Sequence, residues 1–263
     1  MRRSITRRAF WLGLALSGIA LSTATAQATE LKVVSSGGFA AAYRALAPEF
    51  ERQTGNTLVT EWGPSMGTTP NAVPQRLARK EPIDVVIMVG NSLGDLVKAG
   101  QVLPDSRVDL ARSLIGAAVR KGAPHPDIST VDELRKALLA AKSVAYSDSA
   151  SGVYIQTELF KRLGIEDAMA GKAHMIPAEP VGDVVARGDA DLGFQQISEL
   201  KPIKGIDLLG QIPEDVQLVT IFSAGIVEDS PHRDAADALI HFLASPSAAT
   251  VVRESGMTPI TQP

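Results

Sequence analysis

Three segments of this chain place hydroxyl and small side chains directly beside strand-like or turn-like sequence, the composition of an anion site. The first is Leu31-Lys32-Val33-Val34, then Ser35-Ser36-Gly37-Gly38, then a helical run from Phe39. The second is Gly63-Pro64-Ser65-Met66-Gly67-Thr68-Thr69. The third is Ser143-Val144-Ala145-Tyr146, then Ser147-Asp148-Ser149-Ala150-Ser151-Gly152, then a helix from Val153 to Leu163. Small residues let an anion approach the backbone, and helix N-termini supply free N–H donors with a partial positive charge. Serine and threonine add neutral donors. Any one of these turns is an ordinary helix cap. Three at one end of a sheet point to a ligand.

Moving a proton on such a ligand would require a base. Asp148 lies inside the third loop and is the first candidate. As a helix-start carboxylate it would instead bond backbone N–H groups, which lowers a pKa. Tyr154, Tyr146 and His174 follow as acid, base or donor. His125, His232 and His241 have no metal-ligand spacing, so no metal is expected. The Ser, His and Asp residues do not read as a nucleophilic triad, and hydrolase chemistry is not expected. Arg44, Arg76, Arg79 and Lys80 read as solvated helix-face charges. Trp62, Met66 and Tyr154 would either wall the ligand's carbon chain or pack beneath their loops.

The elements around these loops alternate between strand and helix, which implies a parallel or mixed sheet covered by helices. Strands are predicted at Leu31–Ser35, Thr57–Glu61, Ile83–Met88, Leu114–Arg120, Ser143–Tyr146, His174–Ile176, Leu192–Gln196 and Leu218–Ile226. Helices are predicted at Phe39–Thr54, Pro74–Arg79, Leu93–Ala99, Val131–Ala141, Val153–Leu163, Val181–Arg187 and Asp234–Ala244. Thr130 and Glu133 have the spacing of a capping box. Two lobes fit this length better than one sheet. Lobe I is expected at 29–112 plus 222–263 and lobe II at 113–221, with crossings near 112–118 and 218–224 and a ligand cleft between them.

Residues 1–28 read as an export signal rather than as part of the fold. Arg2, Arg3, Arg7 and Arg8 precede an apolar run from Ala9 to Leu21, and small residues follow at Ala24–Ala28. The run is shorter than the roughly 20 residues of a membrane span. Thr6-Arg7-Arg8-Ala9-Phe10 leaves twin-arginine and ordinary secretory export equally open. A periplasmic protein follows, with no membrane insertion after processing. Without those residues 22 basic side chains face 29 acidic ones, a net charge of −7. That argues against nucleic acid and anionic membrane as partners but not against a small anion in a cleft. The absence of cysteine removes disulfides and thiolate metal sites.

The Ser35-Ser36 start, the Ser65 loop, the Ile83-Asp84-Val85-Val86 strand and Arg187-Gly188-Asp189-Ala190-Asp191-Leu192-Gly193-Phe194 carry a resemblance. They are similar to periplasmic solute-binding proteins of the molybdate-binding type, over essentially the whole chain after residue 28. The resemblance implies an α/β, two-lobed periplasmic-binding-protein fold of type II. It also implies that two loop serines, here Ser36 and Ser65, hold an oxyanion. The tyrosine that completes the family's site falls at Gln195 or Gln196, which argues against molybdate itself.

Within that superfamily the chain more closely resembles the bacterial aconitate isomerases. Ser35–Phe39, Gly63–Gly67, Asp84–Gly90, Ala145–Tyr154 and Gly193–Gln196 carry that likeness. It implies cofactor-free interconversion of trans- and cis-aconitate by allylic proton transfer. The alternative is a non-catalytic binding protein that hands an oxyanion or small carboxylate to an ABC permease. On either reading the protein is expected to be a monomer. The residues expected at the ligand are Ser36, Gly37, Ser65, Met66, Thr68, Ser149, Ser151, Gln195 and Gln196, with Asp148, Tyr154 and His174 as catalytic candidates.

Overall fold

The computed structural model describes residues 28–261. The expected export signal therefore lies, Ala28 apart, outside the described residues. Eleven strands occur among the described residues: β1 (Glu30–Ser35), β2 (Thr57–Trp62), β3 (Val85–Val89), β4 (Val108–Ser113), β5 (Ile115–Arg120), β6 (Val144–Ser147), β7 (Ala173–Ile176), β8 (Leu192–Gln196), β9 (Ile206–Gln211), β10 (Thr220–Ile226) and β11 (Thr258–Pro259). The helices are α1 (Gly37–Thr54), α2 (Val73–Ala78), α3 (Gly90–Lys98), α4 (Val131–Ala140), α5 (Ala150–Tyr154), α6 (Phe160–Arg162), α7 (Glu166–Met169), α8 (Val181–Arg187), α9 (Ile197–Leu200), α10 (Arg233–Leu243) and α11 (Ala249–Glu254). A turn of π-helix, Ile155–Leu159, links α5 to α6.

The strands form two sheets. One has the order β11-β4-β10-β3-β1-β2 and the other β7-β6-β8-β5-β9. In the first, β2, β1 and β3 run parallel. In the second, β7, β6 and β8 run parallel. Each sheet also takes antiparallel strands: β10 beside β3, and β5 beside β8. The chain leaves the first sheet after Ser113 and enters the second at Ile115; it returns between Gln211 and Thr220. Ser113 pairs with Thr220, so both crossings lie side by side. The pairing puts Ser113 and Thr220 in the first sheet, one or two residues inside the second-lobe span expected from the sequence. Gln217 ties the crossings together, accepting from Ile115 N and donating to Ile115 O.

The two-sided burial of a parallel sheet explains the sequence of its strands. On β1 and β3, Val33, Val85 and Ile87 face one core with Phe39, Tyr43 and Phe50 of α1. Val34, Val86 and Met88 face the opposite one with Leu77, Leu93 and Leu96. The second lobe repeats this: Tyr146, Leu192 and Phe194 pack with Leu134, Leu138 and Ile155, while Ala145 meets Val181, Val184 and Val185 of α8. Thr130 caps α4 by accepting from Glu133 N at 3.2 Å. β4, β9, α9 and α11 carry no strong apolar period and were not expected. No helix among the described residues is long and apolar enough to cross a membrane.

Candidate functional site

The cleft between the lobes has a volume of about 360 Å³. That lies at the small end of ligand pockets, about 300–1,000 Å³. Its lining comes from the carboxyl ends of β1, β2, β3, β6, β7 and β8 and from the turns after them. Open α/β sheets bind ligands there.

One wall is built by the first lobe. Ser36 N donates to Ile87 O at 2.8 Å, which fixes the turn between β1 and α1. The Ser36 hydroxyl is buried and has no hydrogen-bond partner. The Ser65 hydroxyl accepts from Val89 N at 2.9 Å, binding its loop to the end of β3. A hydroxyl that accepts one bond retains its own hydrogen for a ligand. The segment Gly63–Gly67 also has Gly-x-Ser-x-Gly spacing, which the sequence reading passed over. Ser65 is nevertheless no triad nucleophile, because no histidine lines the cleft.

The second lobe builds the other wall around three mutually bonded hydroxyls. Ser147 lies 2.7 Å from Ser149 and 3.2 Å from Ser151, and Ser149 lies 3.2 Å from Ser151. Ser147 and Ser149 face the cleft, and Ser151 stands fully buried behind them. The cluster depends on Gly152, where a β-carbon would fall 1.5 Å from the Ser147 carbonyl oxygen. Asp148 also lines the cleft, and its Oδ2 accepts from Ala178 N at 3.1 Å. The Gln195 side-chain oxygen accepts from Val181 N at 3.0 Å, so its NH₂ is left to donate to Glu199. Gln196 bonds Thr220 at 3.0 Å, and the far atom of its amide is unpartnered. The Thr220 hydroxyl can accept or donate, so either end of that amide can face a ligand.

Four charged side chains line the cleft: Arg44, Asp148, Glu179 and Glu199. Arg44 lies over the Trp62 ring at 4.1 Å and makes no ion pair with another described residue. Glu179 is exposed and paired with Arg187. Glu199 sits in α9, immediately after β8, with its Oε1 so near α1 that a β-carbon on Gly37 would be 2.2 Å from it. Its carboxyl is pushed up from 4.5 to about 7, chiefly by desolvation and further by the charge of Asp148, against the bond from Gln195. Burial penalises the charged form, so such a group holds a proton near neutrality.

The structure thus brings Ser36, Gly37, Ser65, Asp148, Ser149, Gln195 and Gln196 to one cleft. Met66 and Thr68 lie in the second loop but do not line it. Tyr154 and His174 are also elsewhere. The Tyr154 hydroxyl donates to Val216 O at 2.7 Å and accepts from Arg162 at 3.0 Å, holding the second lobe's helices to the returning chain. His174 is exposed near the amino end of β7, whereas the cleft lies at the carboxyl ends. Of the proposed apolar wall only Trp62 is present, joined by Phe222 and Ile203. Arg44, read from the sequence as a solvated helix-face charge, lines the cleft, and Glu199 is the residue that sequence reasoning missed altogether. Its one signal was position, in the segment directly after a strand already assigned to the site.

A family model described as "Bacterial extracellular solute-binding protein" matches residues 31–258. The chain is 52% identical over 251 residues to a protein named aconitate isomerase from a Pseudomonas species, covering 94% of this chain and 96% of that one. It is 25% identical over 247 residues to the molybdate-binding protein ModA of Azotobacter vinelandii, covering 91% and 94%. The solved periplasmic molybdate-binding protein of that organism superimposes with a TM-score of 0.69 at 22% identity, covering 87% of this chain and 98% of that one. With two α/β sheets flanking a hydroxyl-lined cleft, this chain belongs to the bacterial extracellular solute-binding proteins and has their two-lobed type II fold.

Proposed function

We propose that the chain is a periplasmic aconitate isomerase, exported by its N-terminal segment, which interconverts trans- and cis-aconitate by moving a proton along the allylic system. The observation that carries this reading is the presence of carboxyl groups inside a site otherwise suited to an anion. Ser36, Ser65, Ser147 and Ser149 offer donors from both walls, and Arg44 offers a cation with no ion pair among the described residues. Asp148 and Glu199 face the same space. For a receptor an ionised carboxylate here would repel an anionic ligand, and only its protonated form would donate to one. An isomerase needs such a group to take up and return a carbon-bound proton. The 52% identity to an aconitate isomerase supports the same reading.

Aconitate carries three carboxylates, and the donors are spread to match: hydroxyls and the α1 N-terminus on one wall, the serine cluster on the other, Arg44 at the side. Hydrogen bonds to charged groups contribute about 1.5–3 kcal/mol each, so several neutral donors anchor the ligand without a full set of salt bridges. Trp62 and Phe222 give the carbon chain an apolar surface.

The second reading is a non-catalytic receptor for a small anion that delivers it to an ABC permease. The similarity to a molybdate-binding protein supports it. Proton NMR of trans-aconitate with the purified protein in deuterium oxide separates the two. Appearance of cis-aconitate with deuterium on the allylic carbons establishes the isomerase. Tight binding without cis product or exchange establishes the receptor.

A further inference from the structure

We propose that Glu199 is the base of the allylic proton transfer, held ready by Gln195 and sharing the cleft with Asp148. The assignment rests on the isomerase reading above and names the residue that performs it.

Three carboxylates line the cleft, and their bonding separates them. Glu179 is exposed and neutralised by Arg187. Asp148 has one oxygen committed to the backbone N–H of Ala178, a bond that fixes the loop after β7. Glu199 has neither an ion pair nor a backbone donor among the described residues. Its side chain reaches from α9 to Gly37 at the N-terminus of α1, and it lines the same cleft as Ser36, whose hydroxyl has no hydrogen-bond partner among the described residues. That is where the first anion loop would hold a ligand carboxylate. On this proposal a carboxylate held there brings its neighbouring carbon to Glu199.

The surroundings give this carboxyl a proton affinity suited to the task. Gln195 cannot turn its amide freely, because Val181 N at the start of α8 occupies the oxygen at 3.0 Å. The NH₂ is therefore directed at Glu199 and orients it. Desolvation and the Asp148 charge raise its pKa to about 7, near the optimum for a base at neutral pH.

The step balances without a co-reactant. Ionised Glu199 takes a proton from the methylene carbon, and the C–H electron pair becomes the new C=C bond. The former double-bond pair moves to its far carbon, stabilised there by the attached carboxylate. Glu199 returns the proton to that carbon and is ionised again. The net change is a shift of the double bond, with no oxidation or reduction.

The test compares the wild-type protein with Glu199→Gln, Glu199→Asp and Asp148→Asn, using NMR turnover of trans-aconitate and calorimetric binding of the same molecule. Glu199→Gln should bind within about tenfold of wild type and lose 10²-fold or more in turnover. Glu199→Asp should recover part of that loss, because it restores a carboxylate. Turnover within tenfold of wild type in Glu199→Gln overturns the assignment. So does equal loss of binding and turnover in the Gln and Asp variants, which is the behaviour of a purely structural residue. Loss of turnover confined to Asp148→Asn moves the base to Asp148. If the wild-type protein neither forms cis-aconitate nor exchanges deuterium, the isomerase reading itself fails and this assignment falls with it.

Discussion

The Ser198 hydroxyl donates to the Gly38 carbonyl at 2.7 Å, a buried bond between residues 160 positions apart. It joins α9 of the second lobe to the first turn of α1 in the first, between two residues that line the cleft. The same two elements bring Glu199 over Gly37. With the Gln196–Thr220 bond and the bond from Lys201 Nζ to the Glu254 carbonyl, this contact ties α9 and the end of β8 to the first lobe, and hinge closure is what a two-lobed cleft uses to bury its ligand.

Ser198→Ala should loosen closure without unfolding either lobe, since the Gly38 carbonyl regains water when the cleft opens. A hydrogen bond of this kind contributes about 0.5–1.5 kcal/mol. Affinity for trans-aconitate should drop roughly two- to tenfold by calorimetry, with the melting temperature of the free protein nearly unchanged. A larger small-angle scattering radius for the ligand-free variant would show the open form directly.

Ser36 and Ser65 are equivalent in sequence terms but not in the structure. The Ser36 hydroxyl has no internal partner, so Ser36→Ala should leave stability unchanged and weaken binding by about 1–3 kcal/mol. Ser65 accepts from Val89 N, so Ser65→Ala strands a backbone donor and should also cost about 1–3 kcal/mol of stability. Urea titration of both variants, followed by calorimetry, distinguishes the two roles.

That difference marks how far the sequence could be read. The three anion loops were legible only together, because each alone reads as an ordinary helix cap, and Ser36, Ser65, Ser149 and Gln195 do meet in one cleft. Which hydroxyls are free was not legible, since it depends on partners such as Val89 that lie 24 residues away. Tyr154 was placed beside the ligand because it follows the third loop, but the bond to Val216, 62 residues on, turns it into a lobe II brace. Glu199 escaped because α9 spans only Ile197–Leu200, too short to show helical periodicity. β4 and β9 likewise lack the apolar runs that revealed β3 and β8.

Gly152→Ala should be among the most damaging small substitutions. The new methyl would collide with the Ser147 carbonyl oxygen, a backbone atom that cannot swing aside. α5 would have to move off β6, separating Ser147, Ser149 and Ser151. Overpacking of this kind costs about 1–3 kcal/mol or more. Chemical denaturation should report that loss, with ligand binding reduced at least tenfold in the folded fraction. Val153→Ala, at the exposed neighbouring position, should change neither.

Glu199 also makes stability and activity depend on pH in opposite directions. Its folded pKa, about 7, lies above its ordinary value of 4.5, so the folded protein binds more protons than the unfolded chain between those values. Stability from this group is present at low pH and is lost as pH rises through the folded value. In the ligand-free protein Glu199→Gln should therefore raise the melting temperature relative to wild type at pH 8 and not at pH 4.5. Turnover follows the reverse course, because the base works only when ionised: kcat/KM should fall as pH drops below about 7. Asp148 faces Glu199 and raises its pKa, while Arg44 and the Arg187-paired Glu179 are the other charged groups of the cleft. Asp148→Asn removes a like charge and should shift the acid limb of the profile to lower pH. Glu179→Gln, whose charge is already neutralised, should leave the limb in place. An acid limb that stays fixed in Asp148→Asn would show that the two carboxylates do not share a field, and the proton affinity of Glu199 would then rest on burial alone.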